Sequence, residues 1–296
     1  SAPARRARVF HFHDPELLPV GLLMKLFGKT VVYDANEDGP RQIASKHWIQ
    51  PRLRGLVAAA FERFENFCAR RLDGVVAATP LIGERFARLN SRTVVVRNFP
   101  LLVEFLGIPL EREQTRRVCY IGAVTRERGI LVLLDSLERL GNVRMTLCGP
   151  FESAVFEAEL RQHPGWKHVD YRGVVGRVEI AEVLRHSRIG LVTLFPTPNQ
   201  IEALPVKMFE YMASGTPFIA SDFPLGAKIA RGSGAGVCVD PASASEIAEA
   251  IDSLLGAPER LAEMGQAGRM AAIDVYNWEN EGATLVDFYR GLMEGR

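Results

Sequence analysis

The stretch EALPVKMFEY, residues 202–211, places Glu202 and Glu210 eight positions apart with Lys207 between them and Pro205 just ahead of the lysine. Proline suits a helix start, where its missing N–H is not needed. Val206 to Ser214 are good or tolerable helix formers, Gly215 is a stop, and Pro217 follows at the spacing expected after a C-cap. A helix starting here leaves free backbone N–H groups at its first turn, and such a terminus attracts anions, phosphate above all. Lys207 adds a point charge in that turn. Glu210, three residues on, projects from the same face. A carboxylate just past a phosphate site is placed to accept hydrogen bonds from ribose hydroxyls, so the pattern suits a nucleoside diphosphate. An ordinary surface ion pair between Lys207 and Glu210, worth little, is the other reading of the same spacing.

Chemistry of this kind needs elements that hold it at one edge. Apolar runs alternate with helical patterns nearly throughout. Strands are expected at ARVFHF, TVVYD, GVVAA and TVVVRN, then, after a mixed linker beginning near residue 100, at RVCYIGAV, RMTLCG, HVDYRG, RIGLVTL, PFIAS and GVCVD. Helical stretches separate them, among them 15–27, 51–72, 130–140, 205–214 and 278–292. Strands alternating with helices mean parallel sheets covered by helices. The expected fold is α/β, two Rossmann-like doubly wound domains facing a cleft. The domains are read as 1–107, 108–275, and a final helical segment 276–296 returning to the first. Ligands in such sheets sit at the carboxyl ends of the strands. His11, His13, Asp14 and Glu16 end the first strand. Asp34, Asn36, Glu37 and Asp38 end the second. The loop GAVTRERG from Gly122 to Gly129 follows the first strand of the second block, and the loop before Pro205 follows another.

Composition bounds the possibilities. A 296-residue chain with 47% hydrophobic and 24% charged residues is of ordinary globular make-up and long enough for two domains. A net charge of +1 offers no overall case for binding nucleic acid. Cys68, Cys119, Cys148 and Cys238 show no C-x-x-C spacing and read as reduced thiols, buried where they fall in apolar runs, which points to the cytoplasm. No apolar run approaches the roughly eighteen residues of a membrane span, and no signal peptide is expected. The helix at 51–72, PRLRGLVAAAFERFENFCARRL, mixes arginines with an apolar face, and ELLPVGLLMKLF offers a second apolar run. Packing on the sheet is the default for both, and docking on anionic lipid at the inner face of a membrane is the alternative. Asp34, Glu37 and Asp38 read as cap and loop carboxylates, so no metal is expected. Trp278 reads as a packing anchor for the last helix, and His11 as structural.

With these residues placed, the chain resembles the retaining glycosyltransferases of family 4 (group 1), which have the GT-B fold. Three segments carry the resemblance: Glu202 to Glu210 with its lysine, followed by ASGTPFIAS; HFHDPELL; and YIGAVTRERGI. YDANEDGPRQI and VVVRNFP are similar to members that build bacterial surface polysaccharides. The resemblance implies transfer of a hexose, with retention, from a UDP- or GDP-linked sugar to a glycan or lipid-linked glycan, with no metal or other cofactor. It implies that Glu210 binds the ribose and that Lys207 and Arg128, with Arg126 a further candidate, hold the diphosphate beside Gly122. Glu202 would lie near the transferred sugar, the amides of Ala203 and Leu204 would contact sugar or phosphate, and His13 would meet the reacting sugar. The sequence departs from the family where Ala123, not arginine, follows Gly122, and where Arg128 replaces the commoner lysine. The resemblance implies two or three further βα units at the start of a full first domain. A sugar-nucleotide epimerase on the same fold, and a non-catalytic nucleotide-binding subunit needing a partner chain, are the competing expectations.

Overall fold

A computed structural model describes residues 7–45 and 50–294, and the basic lead SAPARR lies outside them. The chain divides into two compact units, one of residues up to Asn98 with those from Asn280 on, the other of Phe99–Glu279.

The first unit opens with β1 (Val9–Phe12), α1 (Leu18–Leu26), β2 (Thr30–Ala35), α2 (Gly39–Ser45) and α3 (Pro51–Ala69). It continues with β3 (Gly74–Ala77), α4 (Pro80–Ala87) and β4 (Thr93–Val95). The four strands are parallel and lie side by side in chain order. Side chains alternate between the two faces of a strand. Val31, Tyr33, Ala35, Val75 and Ala77 therefore share one face, and they pack with Leu18, Cys68, Ile82 and Phe86 of the helices. The same alternation puts His11, Val32 and Gly74, which are partners in register, on the opposite face. Thr79 caps α4, its hydroxyl accepting from the Ile82 N–H. The sequence pattern gave no helix for the segment that forms α2, where Gly39 and Pro40 lead in.

The second unit carries β5 (Arg117–Ile121), α5 (Ile130–Leu140), β6 (Arg144–Cys148), α6 (Ala154–Gln162), β7 (Val169–Gly173), α7 (Arg177–Arg185) and β8 (Ile189–Val192). There follow α8 (Pro198–Ile201), α9 (Val206–Ser214), β9 (Phe218–Ser221), α10 (Pro224–Ser233), β10 (Gly236–Val239), α11 (Ala244–Leu255) and α12 (Pro258–Asp274). Its six parallel strands run β10-β9-β8-β5-β6-β7. The chain starts mid-sheet at β5, moves outward to β7, then returns to the other side of β5. That is a doubly wound sheet, and its order reverses between β5 and β8, where a crevice opens at the strand ends. The inner strands are buried on both faces, which explains their unbroken apolar runs, while the edge strand β7 is half-exposed. Val118, Tyr120, Met145 and Leu147 pack with α5 and α11. Cys119, Ile121 and Cys148 pack with α7, α9 and α12.

Residues 99–107, expected with the first domain, pack with this second unit. Phe99 lies 4.5 Å from the Phe209 ring and edge-on to Tyr276, and Phe105 is fully buried. Just beyond, the Arg112 guanidinium donates to the carbonyls of Ser187 (2.7 Å) and Ser214 (2.6 Å). All four cysteines are free thiols, three of them buried. The last helix, α13 (Trp278–Glu294), starts in the second unit, where the Trp278 N–H donates to the Pro100 carbonyl. Within the first unit its Glu281 pairs with Arg97 at 3.0 Å, and Phe288 lies where a Gly74 side chain would stand. No helix among the described residues is long and apolar enough to cross a membrane.

Candidate functional site

In the second unit the loop after β5 begins at Gly122, whose φ of +134° is open to glycine and strained for other residues. A Cβ built there would stand 2.9 Å from Arg128 Nη1 and 3.4 Å from Lys207 Nζ. Two cationic side chains thus converge on one stretch of bare backbone. Gly149, at the end of β6 with φ +138°, allows the same close approach from behind: a Cβ on it would overlap the Gly122 carbonyl. The loop then makes a 3-10 turn over Arg126–Arg128 and enters α5 through Gly129 at φ +68°. It is tied to the loop after β8, since the Phe195 N–H donates to the Glu127 carbonyl at 2.8 Å.

Helix α9 approaches the same place. Pro205 is its N-cap, one position earlier than the sequence reading put it, and no side chain caps the first turn. Gly190 on β8 lets the Tyr211 ring lie against the strand, and the Tyr211 hydroxyl accepts from the Ile121 N–H at 3.3 Å. That bond fixes α9 to the end of β5. At the other end, Gly215 stops the helix in the left-handed region. The guanidinium groups of Arg112 and Arg269 both donate to the Ser214 carbonyl, satisfying its C-terminus.

Lys207 is only 7% exposed, and its Nζ has no hydrogen-bond partner. The ammonium sits 3.5 Å from the centre of the Tyr120 ring. Burial first, and then the neighbouring Arg128 guanidinium, pull its pKa well below the ordinary lysine value. A buried cation facing a second cation with no acceptor is unfavourable unless an anion joins them.

The surface ion pair between Lys207 and Glu210 does not form. Both side chains are buried, and Glu210 instead accepts from Arg177 Nη1 at 2.6 Å. Arg177 opens α7 and also donates through Nε to Glu104 at 2.9 Å. Arg126 is turned away from the converging cations: its guanidinium is exposed, pairs with Glu159, and its backbone N–H donates to Glu152. Glu202 caps the C-terminus of the four-residue helix α8, where the sequence pattern predicts a loop. The Ala203 N–H is already given to the Gln200 carbonyl at 3.2 Å, whereas Leu204 packs against the α9 side of the core.

In the first unit, His13 Nδ1 lies 3.0 Å from Asp34 Oδ2. The Glu37 carboxylate bonds locally to Gln42, and Asp38 accepts from the Arg41 N–H and from Arg85 Nη1, each at 3.4 Å. Two groups among the described residues bring three metal-ligand atoms within 4.8 Å: His11, His13 and Asp34, and on the second unit Asp135, Glu138 and His163. In the latter, His163 Nδ1 accepts from the Gly165 N–H, so its proton is on Nε2 facing Asp135 and no lone pair is offered there.

The residues that sequence reasoning missed are Tyr120, which floors the Lys207 ammonium, and Arg177. Arg177 stands just past the end of β7, at the same strand-end edge, and that position was the available signal.

The family described as Glycosyl transferases group 1 matches residues 105–271, more than half of the chain. The alpha-maltose-1-phosphate synthase of Mycolicibacterium smegmatis is 27% identical over 203 residues, covering 62% of this chain and 49% of that protein. A GDP-mannose-dependent alpha-(1-6)-phosphatidylinositol monomannoside mannosyltransferase of the same organism is 32% identical over 96 residues, 32% of this chain and 25% of that one. The chain spans about half the length, or less, of the curated relatives it matches. Among solved structures, Anabaena HepE in complex with UDP superposes with a TM-score of 0.76 at 15% identity, over 98% of this chain and 80% of that one. Sucrose-phosphate synthase from Thermosynechococcus elongatus gives 0.74 at 20% identity, over 98% and 74%. Both show the same fold, GT-B. The chain belongs to the group 1 glycosyl transferase family.

Proposed function

We propose that this protein transfers a hexose from a UDP- or GDP-linked sugar to a glycan or lipid-linked glycan, with retention at the anomeric carbon, as a family 4 enzyme of bacterial surface-polysaccharide synthesis. The observation that carries the reading is the unpartnered Lys207 ammonium, buried beside Arg128 at Gly122 and at the uncapped start of α9. A diphosphate supplies the missing negative charge. Glu210, one turn deeper, accepts from the ribose. Lys207, Arg128 and the α9 amides then stabilise the leaving diphosphate as charge builds on it, and no metal is required for that step. In retention the acceptor attacks from the side the diphosphate leaves, so a leaving-group oxygen takes the acceptor proton. On the first unit, His13 is assigned to the reacting sugar, and Glu202 to the transferred sugar on the second. Arg126 is left as a peripheral contact. Relatives supply both bases by name, GDP in the mannosyltransferase and UDP in the HepE complex.

The lipid-linked acceptor is favoured by exposed apolar side chains on α1 and α3. Leu26 and Leu56 are 83% and 70% exposed, and Phe27, Phe64 and Phe67 are also exposed. Arg52, Arg54 and Arg63 lie along the same helix as Leu56. Such a face suits the anionic cytoplasmic side of a membrane.

Calorimetric titration with UDP, GDP and ADP tests the core of this reading. One nucleotide is expected to bind in the micromolar range or tighter, and Lys207→Ala to weaken it at least about tenfold, the scale of a lost charge-assisted bond. Failure of all three to bind, or equal binding by the variant, contradicts it.

A further inference from the structure

On the sheet face of the first unit that carries His11, hydrogen bonds run from the last helix through His11 to Asp34, and the His13 ring lies within ion-pair distance of that carboxylate. The Tyr289 hydroxyl of α13 bonds His11 Nδ1. His11 Nε2 lies 3.0 Å from Asp34 Oδ2, and the same oxygen lies 3.0 Å from His13 Nδ1. Tyr289 comes from 278 residues further along the chain than His11. Asp34 is only 13% exposed, whereas His13, whose Nδ1 approaches it, is 58% exposed.

We propose that Asp34, braced by His11 and Tyr289, is a positioning residue that holds the His13 proton on Nδ1 and so leaves Nε2 as the acceptor nitrogen. The protons can be counted. The Asp34 carboxylate accepts, so the His11 nitrogen bonded to it, Nε2, carries the proton, and Nδ1 accepts from the Tyr289 hydroxyl. A neutral imidazole that accepts at one nitrogen donates at the other. The carboxylate is acceptor-only and takes a second hydrogen bond from the other ring facing it, the Nδ1–H of His13. With Nδ1 protonated, His13 presents an unprotonated Nε2, suited to accept from a sugar hydroxyl. This last consequence rests on the assignment of His13 to the sugar, but the order of hydrogen bonds does not.

One neighbour opposes that order. Asn36 Nδ2 lies 3.2 Å from His13 Nδ1. Were the amide to donate there, the His13 proton would move to Nε2 and two lone pairs would face each other across 3.0 Å. The amide turned over, with its oxygen inward, accepts from the same Nδ1–H and removes the conflict. A cation shared by His11, His13 and Asp34 would likewise take the ring lone pairs and abolish both N–H donors.

Nitrogen-15 NMR of the full chain labelled in histidine decides the matter, recorded well above the ordinary histidine pKa of about 6.5. His13, assigned by its loss in His13→Gln, is expected to show a protonated Nδ1 and an unprotonated Nε2. Asp34→Asn is expected to shift it toward the other tautomer. A protonated Nε2 in the native protein, or an unchanged His13 in Asp34→Asn, overturns the proposal. The same Asp34→Asn variant is then assayed for transfer. A fall in kcat on the order of 10- to 100-fold, the scale of lost orientation at a reacting centre, is expected with nucleotide affinity unchanged. The expected NMR result with full transfer supports the hydrogen-bond order and removes His13 from the sugar. Loss of nucleotide binding in the native protein speaks instead against the donor site.

Discussion

Lys207 is in an environment that opposes its charge, and this separates its cost to stability from its use. Its ammonium is buried, unpartnered and beside Arg128. Lys207→Met, close to it in volume, is expected to raise stability by about 1–3 kcal/mol, since it removes a desolvated charge. The same change is expected to lower turnover by about two orders of magnitude or more, the scale of losing one donor at a developing anion. Thermal melting and a transfer assay on one variant check both halves, and a variant that is less stable with near-native turnover contradicts them. A pH effect follows with a definite sign. Because the folded pKa is depressed below the ordinary 10.5, the unfolded chain binds more protons between the two values. Stability should therefore rise with pH through that window and flatten above 10.5, with the rise absent in Lys207→Met. Above the depressed pKa, nucleotide binding should take up a proton, seen as a dependence of binding heat on the buffer. That Lys207 and Arg128 would meet at Gly122 was legible because strand-end position and helix-start chemistry are local, whereas Arg126, read with them, pairs with Glu159 instead. Arg177 was not legible, since its bond to Glu210 joins residues 33 apart that only the folded sheet brings together.

At the scale of elements, the loop after β5 and the start of α9 meet because three glycines permit it. Gly122 and Gly149 let two backbone segments touch, and Gly190 lets Tyr211 lie on β8. A methyl group at Gly149 overlaps the Gly122 carbonyl, backbone against backbone, in a strained φ region. Gly149→Ala should cost about 1–3 kcal/mol of stability and should also weaken nucleotide binding, because the loop must shift. Denaturant unfolding beside calorimetry reads both, and unchanged binding would show that the loop does not shape the site. The ten strands among the described residues fall where the sequence placed them, the central ones such as β3, β8 and β9 as apolar runs, because a purely parallel sheet buries both faces there. The short helices α2 and α8 were not readable. Each is four to seven residues long, with a glycine or proline at its start, a pattern that local propensity alone assigns to a turn.

For the whole molecule, the sheet order in the second unit is what turns scattered residues into a site. The reversal between β5 and β8 sets Gly122, Lys207 and Arg128 at one crevice, and a family match over residues 105–271 covers the same ground. Net charge is +1, so any attraction to a membrane is local to α1 and α3 and not a property of the overall charge. Flotation with anionic vesicles should carry the protein at low salt, and Leu56→Glu with Phe67→Glu should abolish that. Equal flotation by the variant removes the helix face from the account. Chelators should leave nucleotide binding and transfer unchanged. The most direct test is a crystal of the full chain soaked with the nucleoside diphosphate that binds best. The diphosphate is expected between Lys207 and Arg128 over Gly122, with the ribose hydroxyls on Glu210. A nucleotide bound elsewhere, or a diphosphate out of reach of the Lys207 ammonium, would contradict the account.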